Sequence, residues 1–342
     1  MRSTNRQWRL RKRPVGDVQP GDLEFIESAK PAPKAGEFLV RNVYLSLDPT
    51  NRIWMSDQDQ YMPPVRIGDV MRGGTLGMVE QSNTPEFEVG DLVMPGVGGW
   101  QDYCIGTATG PFSARKLTRL PGIPMTSYMS ALGFTGATAY FGLLDLGQPK
   151  AGETVVVSAA AGAVGQIVGQ IAKIKGCNVV GIAGSDAKCN YVVKELGFHA
   201  CMNYKQADMD KALRISCPKG IDIDFENVGG RILDTILNHI NLRARIVLCG
   251  LISQYNAKEP VPGPYNFTQI LMKRARIEGF IIIDYINRMD EFTAQMAQWL
   301  MTGQVKDRVD ITEGLENAVG ALGTLFTGGN TGKLLIQISE EP

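Results

Sequence analysis

Histidine is almost missing from this chain: its 342 residues hold two, His199 and His239. The commonest metal ligand and the commonest general base are therefore confined to two positions. Cysteine is sparse as well, and Cys104, Cys177, Cys189, Cys201, Cys217 and Cys249 form no C-x-x-C pair. A zinc site would need thiols converging from distant positions, so the expectation is no metal and reduced structural thiols. Net charge is absent too, with Lys plus Arg and Asp plus Glu at 35 each. No overall field favours nucleic acid or an anionic membrane. No apolar run reaches membrane-spanning length, and no hydrophobic signal core opens the chain. A cytoplasmic protein with a small-molecule partner is predicted. The one basic cluster, Arg2, Arg6, Arg9, Arg11, Lys12 and Arg13, alternates with Trp8 and Leu10. That pattern reads as a first strand with one solvated face rather than a nucleic-acid arm.

Glycine and proline, in contrast, are plentiful and unevenly used. Up to Thr126 they separate short strand-like runs, Phe38 to Val43, Thr75 to Glu80, Asp91 to Pro95 and Tyr103 to Gly106, which signals a β-rich, barrel-like domain. From Ser127 strands and helices alternate. Strands are expected at Thr154 to Val157, Asn178 to Gly184, Ala200 to Tyr204, Ile221 to Asn227, Ala244 to Gly250 and Ile277 to Ile283. They predict a six-stranded, doubly wound α/β sheet over residues 127–303. Residues 1–126 and 304–342 form the other expected domain, because the tail Gly332 to Ile338 reads as a last strand with no helix after it. Pro260 to Pro264 reads either as a lid near the ligand-binding edge or as an ordinary surface loop.

The most informative stretch is ETVVVSAAAGAVGQIVGQIAKIK, Glu153 to Lys175. A β-branched run meets a turn of small residues, which opens into an amphipathic helix. Against the G-x-G-x-x-G template the turn reads Ala160, Gly162, Gly165, with alanine in place of the first glycine. Small residues let the backbone approach a pyrophosphate, whose charge suits the positive end of the helix. A dinucleotide site is expected here. At the tip of the second strand stand Gly184 and Ser185, where an NAD site usually has an acidic residue. Lys188 follows within one turn and suits a 2′-phosphate; Asp186, two residues beyond the strand, is the contrary sign, readable instead as the helix cap. NADPH is the expected cofactor.

Taken together, VYLSLDP at Val43 to Pro49, ATAYFGLLDLGQPKAGETVVVSAAAGAVG at Ala137 to Gly165, FENVGG at Phe225 to Gly230, CGLISQYN at Cys249 to Asn256 and GFII at Gly279 to Ile282 resemble the medium-chain dehydrogenase/reductase superfamily. Within it the chain resembles the zinc-free branch of prostaglandin reductases, alkenal double-bond reductases and NADPH-dependent curcumin reductases. Zinc alcohol dehydrogenases carry Gly-His-Glu where this chain reads Gly68, Asp69, Val70. The resemblance implies a GroES-like substrate domain beside a Rossmann domain, and reduction of the C=C bond of an enone or enal. It implies that Gly162, Ala163, Val164 and Gly165 wrap the pyrophosphate and that Lys188 and Tyr204 meet the 2′-phosphate. Asn227, Cys249, Gly250, Leu251, Ile252, Ser253, Tyr255, Phe280, Ile281 and Ile282 would line the nicotinamide half, and Asn330 would reach the cofactor. From the residues alone Cys249 reads as a buried apolar filler and Asn330 has no role.

Tyr255 is the candidate catalytic residue, because a phenol can donate to an enolate at neutral pH without being charged; the alternative is that it only packs. Thr50 and Asn51 replace the Tyr-Met usual in related reductases. That leaves Trp54, Met55 and Tyr61 as candidate apolar wall, with Trp54 and Met55 equally readable as core. Rival readings are a zinc-free quinone oxidoreductase, a non-catalytic NADPH-binding protein and a glycine-loop methyltransferase. The resemblance also implies a homodimer.

Overall fold

The computed structural model describes residues 3–110 and 112–342, so Arg2 of the basic cluster lies outside the described residues. The strands in chain order are β1 (Thr4–Leu10), β2 (Leu23–Ala29), β3 (Glu37–Ser46), β4 (Thr75–Ser82), β5 (Leu92–Met94), β6 (Tyr103–Thr107) and β7 (Arg115–Lys116). Then come β8 (Thr154–Val157), β9 (Asn178–Ala183), β10 (Ala200–Asn203), β11 (Ile221–Glu226), β12 (Ile240–Leu248), β13 (Arg276–Gly279), β14 (Val309–Glu313) and β15 (Lys333–Gln337). The chain divides into two compact units. One runs up to Met129 and adds Asp310–Gly329 and Leu334–Pro342; the other is Ser130–Val309 with Asn330–Lys333.

The first unit is β-rich. β1 and β2 pair antiparallel, and a seven-stranded sheet runs β14-β15-β3-β4-β5-β7 with β6 also on β3. Leu10, Leu45, Trp100, Leu315, Leu322 and Ile336 belong to its main core cluster. One expectation fails here. The cationic face of β1 is not simply solvated: Arg6 forms a two-pronged ion pair with the buried Asp102. The inward face carries Asn5 and Gln7, which hydrogen-bond Tyr103 and Gln101. Residues 302–331, where no element is assigned from the sequence, hold β14 and a helix, Ala318–Thr327. Gly320 and Gly323 weaken the local helix signal, but Ala318, Ala321 and Leu322 recur at helical spacing and are buried.

The second unit carries a six-stranded parallel sheet in the order β10-β9-β8-β11-β12-β13. Taken in chain order this is third, second, first, fourth, fifth, sixth, a doubly wound arrangement whose switch point lies between β8 and β11. Every residue of β8 is buried, as an unbroken β-branched run in a parallel sheet requires. The helix Gly165–Ile174 buries its first eight residues. Val156, Ile182, Leu213, Ile236 and Ile246 share one core cluster under the helices on one face. The last strand is shorter than expected, ending at Gly279 and giving way to a 3-10 turn at Ile282–Arg288. Residues 304–309 and 330–333 pack with this unit, against the sequence-based boundary at 303/304. Gln166 and the backbone of Arg308 hydrogen-bond reciprocally, and Gly332 pairs with Gly162. Among the described residues, no helix is long and apolar enough to cross a membrane.

Candidate cofactor site

The sheet register gathers the candidate residues at one edge. Val157 is level with Phe225 on one side and Gly181 on the other; Asn203 is level with Ala183, Glu226 with Leu248 and Leu248 with Gly279. The next residues outward are Ser158, Gly184, Tyr204, Asn227, Cys249 and Phe280. All lie at the carboxyl ends of parallel strands, where ligands of open α/β sheets bind.

The turn after β8 is built for close approach. Gly165 has no room for a side chain, since a Cβ there would sit 2.4 Å from the Ala159 carbonyl oxygen and 2.9 Å from the Ala160 Cα. Both neighbours are backbone, so this glycine lets the helix pack against the turn. At Gly162 a Cβ would meet only Ala159, at 3.1 Å for its oxygen. The rest of that space is open, and a Cβ would intrude on it. The helix Gly165–Ile174 follows its N-cap residue Val164 with no side chain capping it, so the amides around its start, from Ala163 to Gly165, are available to that space. These features fit a pyrophosphate. From the other side, the Gly332 amide donates to the Ala161 carbonyl at 2.7 Å, and Asn330 reaches this segment by donating to the Gly332 carbonyl at 2.9 Å. Gly332 is held at φ +78, and a Cβ there would lie 2.0 Å from the Arg308 carbonyl oxygen.

The adenosine end differs in one detail from the sequence reading. Ser185, not Asp186, caps the helix Asp186–Lys194: its hydroxyl accepts from the Lys188 amide at 3.3 Å. The Asp186 carboxylate accepts instead from Asn203 at 2.9 Å. A Cβ on Gly184 would lie 3.2 Å from the Tyr204 ring and 3.5 Å from the Lys205 Cε. Tyr204 and Lys205 thus converge on the strand tip that Lys188 also follows. Sequence reasoning missed Lys205; its one signal is that it directly succeeds Tyr204 at the end of a strand.

At the switch point a buried network ties β8 to β11. The Ser158 hydroxyl donates to Glu226 at 2.6 Å and accepts from the Asn227 amide at 2.7 Å. The Asn227 side chain donates to the Ser158 carbonyl at 2.8 Å. Glu226 also accepts from the Val228 and Gly229 amides at 2.5 and 2.9 Å. Asn227 therefore has a structural duty whatever else it does, and Ser158 and Glu226 went unnoticed in the sequence. The segment after β12 docks on this turn: the Ile252 amide donates to Asn227 and the Ser253 amide and hydroxyl to Val228. The Tyr255 hydroxyl accepts from the Leu251 amide at 3.0 Å. A Cβ on Gly250 would meet that hydroxyl at 3.2 Å. Asn227, Cys249 to Ser253 and Tyr255 are thus brought together. Burial, reinforced by the Glu226 carboxylate, pushes the Cys249 thiol up to about 12. It is neutral and apolar in character. The half-buried Phe280 packs over Gly142, where a Cβ would lie 2.5 Å from its ring, and edge-on against Tyr285 with centroids 6.2 Å apart. Ile281 and Ile282 remain partly exposed beside it, and Pro260 to Pro264 lies in an exposed stretch without helix or strand.

One buried group is a liability. Asp224 is fully buried on β11, and among the described residues neither carboxylate oxygen has a hydrogen-bond partner. Burial first, then the Glu226 charge, raises its proton affinity well above the carboxylate norm. The native state holds a proton that the unfolded chain releases above about pH 4. This contribution to stability is complete below that pH and is lost as pH rises toward the folded-state value. Asp224→Val is expected to stabilise the fold by about 1–3 kcal/mol at neutral pH and to flatten that decline. Urea unfolding across pH measures both; equal midpoints for the two proteins would contradict this account.

In the first unit the Thr50 and Tyr61 hydroxyls hydrogen-bond one another. Asn51 is buried and structural, accepting from the Asp48 amide and donating to the Arg72 carbonyl. Met55 is core, and Trp54 packs partly on that core beneath the Arg72 guanidinium. Among the described residues no group of three or more His, Cys, Asp or Glu could hold a metal ion.

The switch-point sheet and its glycine turn define a dinucleotide-binding fold. A family described as "N-terminal domain of oxidoreductase" matches residues 6–113, and one described as "Zinc-binding dehydrogenase" matches residues 163–300. The NADPH-dependent curcumin reductase of Escherichia coli is 46% identical over 98% of this chain and 97% of its own. The NADP(+)-dependent 2-alkenal reductase of Nicotiana tabacum is 39% identical over 99% and 98%. The crystal structure of CurA from Vibrio vulnificus in complex with NADPH superposes with a TM-score of 0.92 at 46% identity, over 98% of this chain and 100% of that one. The chain belongs to the medium-chain dehydrogenase/reductase family, in the zinc-free branch that contains the curcumin and alkenal reductases.

Proposed function

We propose that the protein is an NADPH-dependent reductase of the C=C bond in α,β-unsaturated ketones and aldehydes. The observation that carries the cofactor half is the open cradle at Gly162 under an uncapped helix end, with Tyr204 and Lys205 converging on Gly184 and Lys188 following within one helical turn. The activities named for the curcumin and alkenal reductases, near-full-length relatives, support the substrate half.

NADPH, when bound, supplies the hydride that reaches the substrate β-carbon. The chain's residues do the rest. Ala163, Val164 and Gly165 amides hold the pyrophosphate, and Lys188 and Tyr204 hold the 2′-phosphate. Asn227, Cys249 to Ser253 and Phe280 to Ile282 shape the nicotinamide half. Asn330 steadies the segment that braces the turn. Charge arriving on the substrate spreads into an enolate, which a hydrogen-bond donor can stabilise without a Lewis acid. Tyr255 is assigned that donor role and returns a proton to the α-carbon directly or through water. The Leu251 amide orients its hydroxyl at the switch-point loop.

NADPH consumption across enals, enones and quinones, repeated with NADH and with a chelator, tests the reading. Turnover of enones and enals without quinones is the expected outcome. Quinone turnover alone would favour the zinc-free quinone oxidoreductase, cofactor binding without any turnover would favour a non-catalytic NADPH-binding protein, and a chelator-sensitive rate would oppose zinc independence.

A homodimer is also proposed. β13 and the helix Thr268–Lys273 bury no residue, and Tyr265, Phe267, Leu271 and Met272 are exposed nearby, Tyr265 at 83%. An apolar edge of this kind calls for a partner surface. Sedimentation equilibrium should return twice the chain mass of 37.3 kDa, and a monomer at micromolar concentration would refute it.

A further inference from the structure

The thiols of Cys189 and Cys201 stand 3.0 Å apart, one on the helix Asp186–Lys194 and the other on β10. Both residues are partly exposed. Among the described residues no other two thiols lie within hydrogen-bonding distance, and the proposed reaction uses neither. Their position is specific. A Cβ on Gly181 would lie 2.9 Å from the Ala160 Cβ and 3.1 Å from the Cys201 sulfur, so glycine there leaves the thiol room beside the pyrophosphate turn. Cys189 follows Lys188 directly, and its amide donates to the carbonyl of the capping Ser185 at 3.0 Å. The first helical turn is also tied to the end of β10 through Asp186 and Asn203.

We propose that Cys189 and Cys201 are a reversible redox pair that tunes affinity for the cofactor's 2′-phosphate. A peroxide takes one electron pair from the two thiols: both S–H bonds break, an S–S bond forms, and the O–O bond of hydrogen peroxide breaks to give two waters. A dithiol reductant reverses it. Closing from 3.0 Å to a bond of about 2.05 Å moves the sulfurs by roughly 1 Å in total. That travel draws the second helical turn toward β10 and shifts the Ser185 cap and Lys188 with it. Burial raises both thiols, and donation to Cys189 raises Cys201 further. The thiolate is the attacking form, so oxidation quickens as pH rises.

The consequence for binding rests on the assignment of Lys188 and Tyr204 to the 2′-phosphate. The test treats the full chain with hydrogen peroxide at mildly alkaline pH, then combines peptide mapping with NADPH and NADH titrations. The expected result is a Cys189 to Cys201 cross-linked peptide, an NADPH affinity lowered at least about threefold with NADH affinity nearly unmoved, and recovery with dithiothreitol. Cys189→Ser and Cys201→Ser should each abolish the cross-link and the shift while keeping the reduced protein's affinity. Thiols that remain separately alkylatable, over-oxidation without a cross-link, or a cross-link that leaves NADPH affinity unchanged would overturn the proposal. Lys188→Ala in the reduced protein separates the two ideas: if it leaves NADPH affinity intact, the phosphate assignment fails, while cross-linking still reports on the thiol pair.

Discussion

Tyr255→Phe is expected to lower kcat on an enone by about a hundredfold, the scale of a single well-placed proton donor, with the NADPH dissociation constant nearly unchanged. The phenol's oxygen takes the Leu251 amide at 3.0 Å, so the side chain is held in a fixed relation to the loop that follows β12. Removing the oxygen deletes the proposed donor and the anchor of that amide together. Loss of the anchor would loosen the loop and raise KM for both ligands; loss of a donor acting on the developing enolate lowers kcat and kcat/KM alike. Steady-state kinetics with saturating NADPH therefore distinguishes them. Unchanged turnover would show that Tyr255 packs and does no chemistry. A raised KM with kcat intact would assign it to loop positioning, and water or a cofactor hydroxyl would then deliver the proton.

Lys188→Ala should weaken NADPH binding about tenfold to a hundredfold while leaving NADH within a factor of two, because a charge-assisted bond to phosphate contributes about 1.5–3 kcal/mol. The change acts only on the group that distinguishes the two cofactors. Lys205→Ala is expected to act in the same direction, since the Lys205 stem shares the Gly184 strand tip with Tyr204. The Ser185 cap uses the backbone amide at position 188, which alanine retains, so the helix start survives the substitution. Calorimetric titration with both nucleotides measures the ratio. Equal losses for NADPH and NADH would mean that Lys188 supports the fold and does not read the phosphate.

Much of the site was legible because parallel-sheet physics writes itself locally. A buried strand needs Thr154 to Val157, a pyrophosphate turn needs Gly162 and Gly165, and the two must be adjacent in the chain for the helix to start where it does. The resemblance supplied the segments after β11, β12 and β13. What stayed hidden depends on residues far apart in the chain. Ser158 and Glu226 are ordinary until sheet register makes them neighbours, and neither has a motif. Asp186 looked like a cap, yet Ser185 holds that position because its extended backbone aims a hydroxyl at the Lys188 amide. That the Phe280 ring packs over Gly142, which leaves it room, was equally hidden. The helix Ala318–Thr327 was missed because glycine interrupts it and burial compensates.

By itself the amino-acid sequence determined the alternation of strand and helix, the dinucleotide turn and the expectation of a phosphorylated cofactor, since these follow from periodicity and from side-chain size and charge over a few consecutive residues. Only the tertiary structure decided that Ser158, Glu226 and Asn227 form one buried network, that Asp224 is left without a hydrogen-bond partner among the described residues, and that two cysteines meet beside the adenosine end. Those outcomes depend on which strands become neighbours and in what register, and no short-range pattern carries that information.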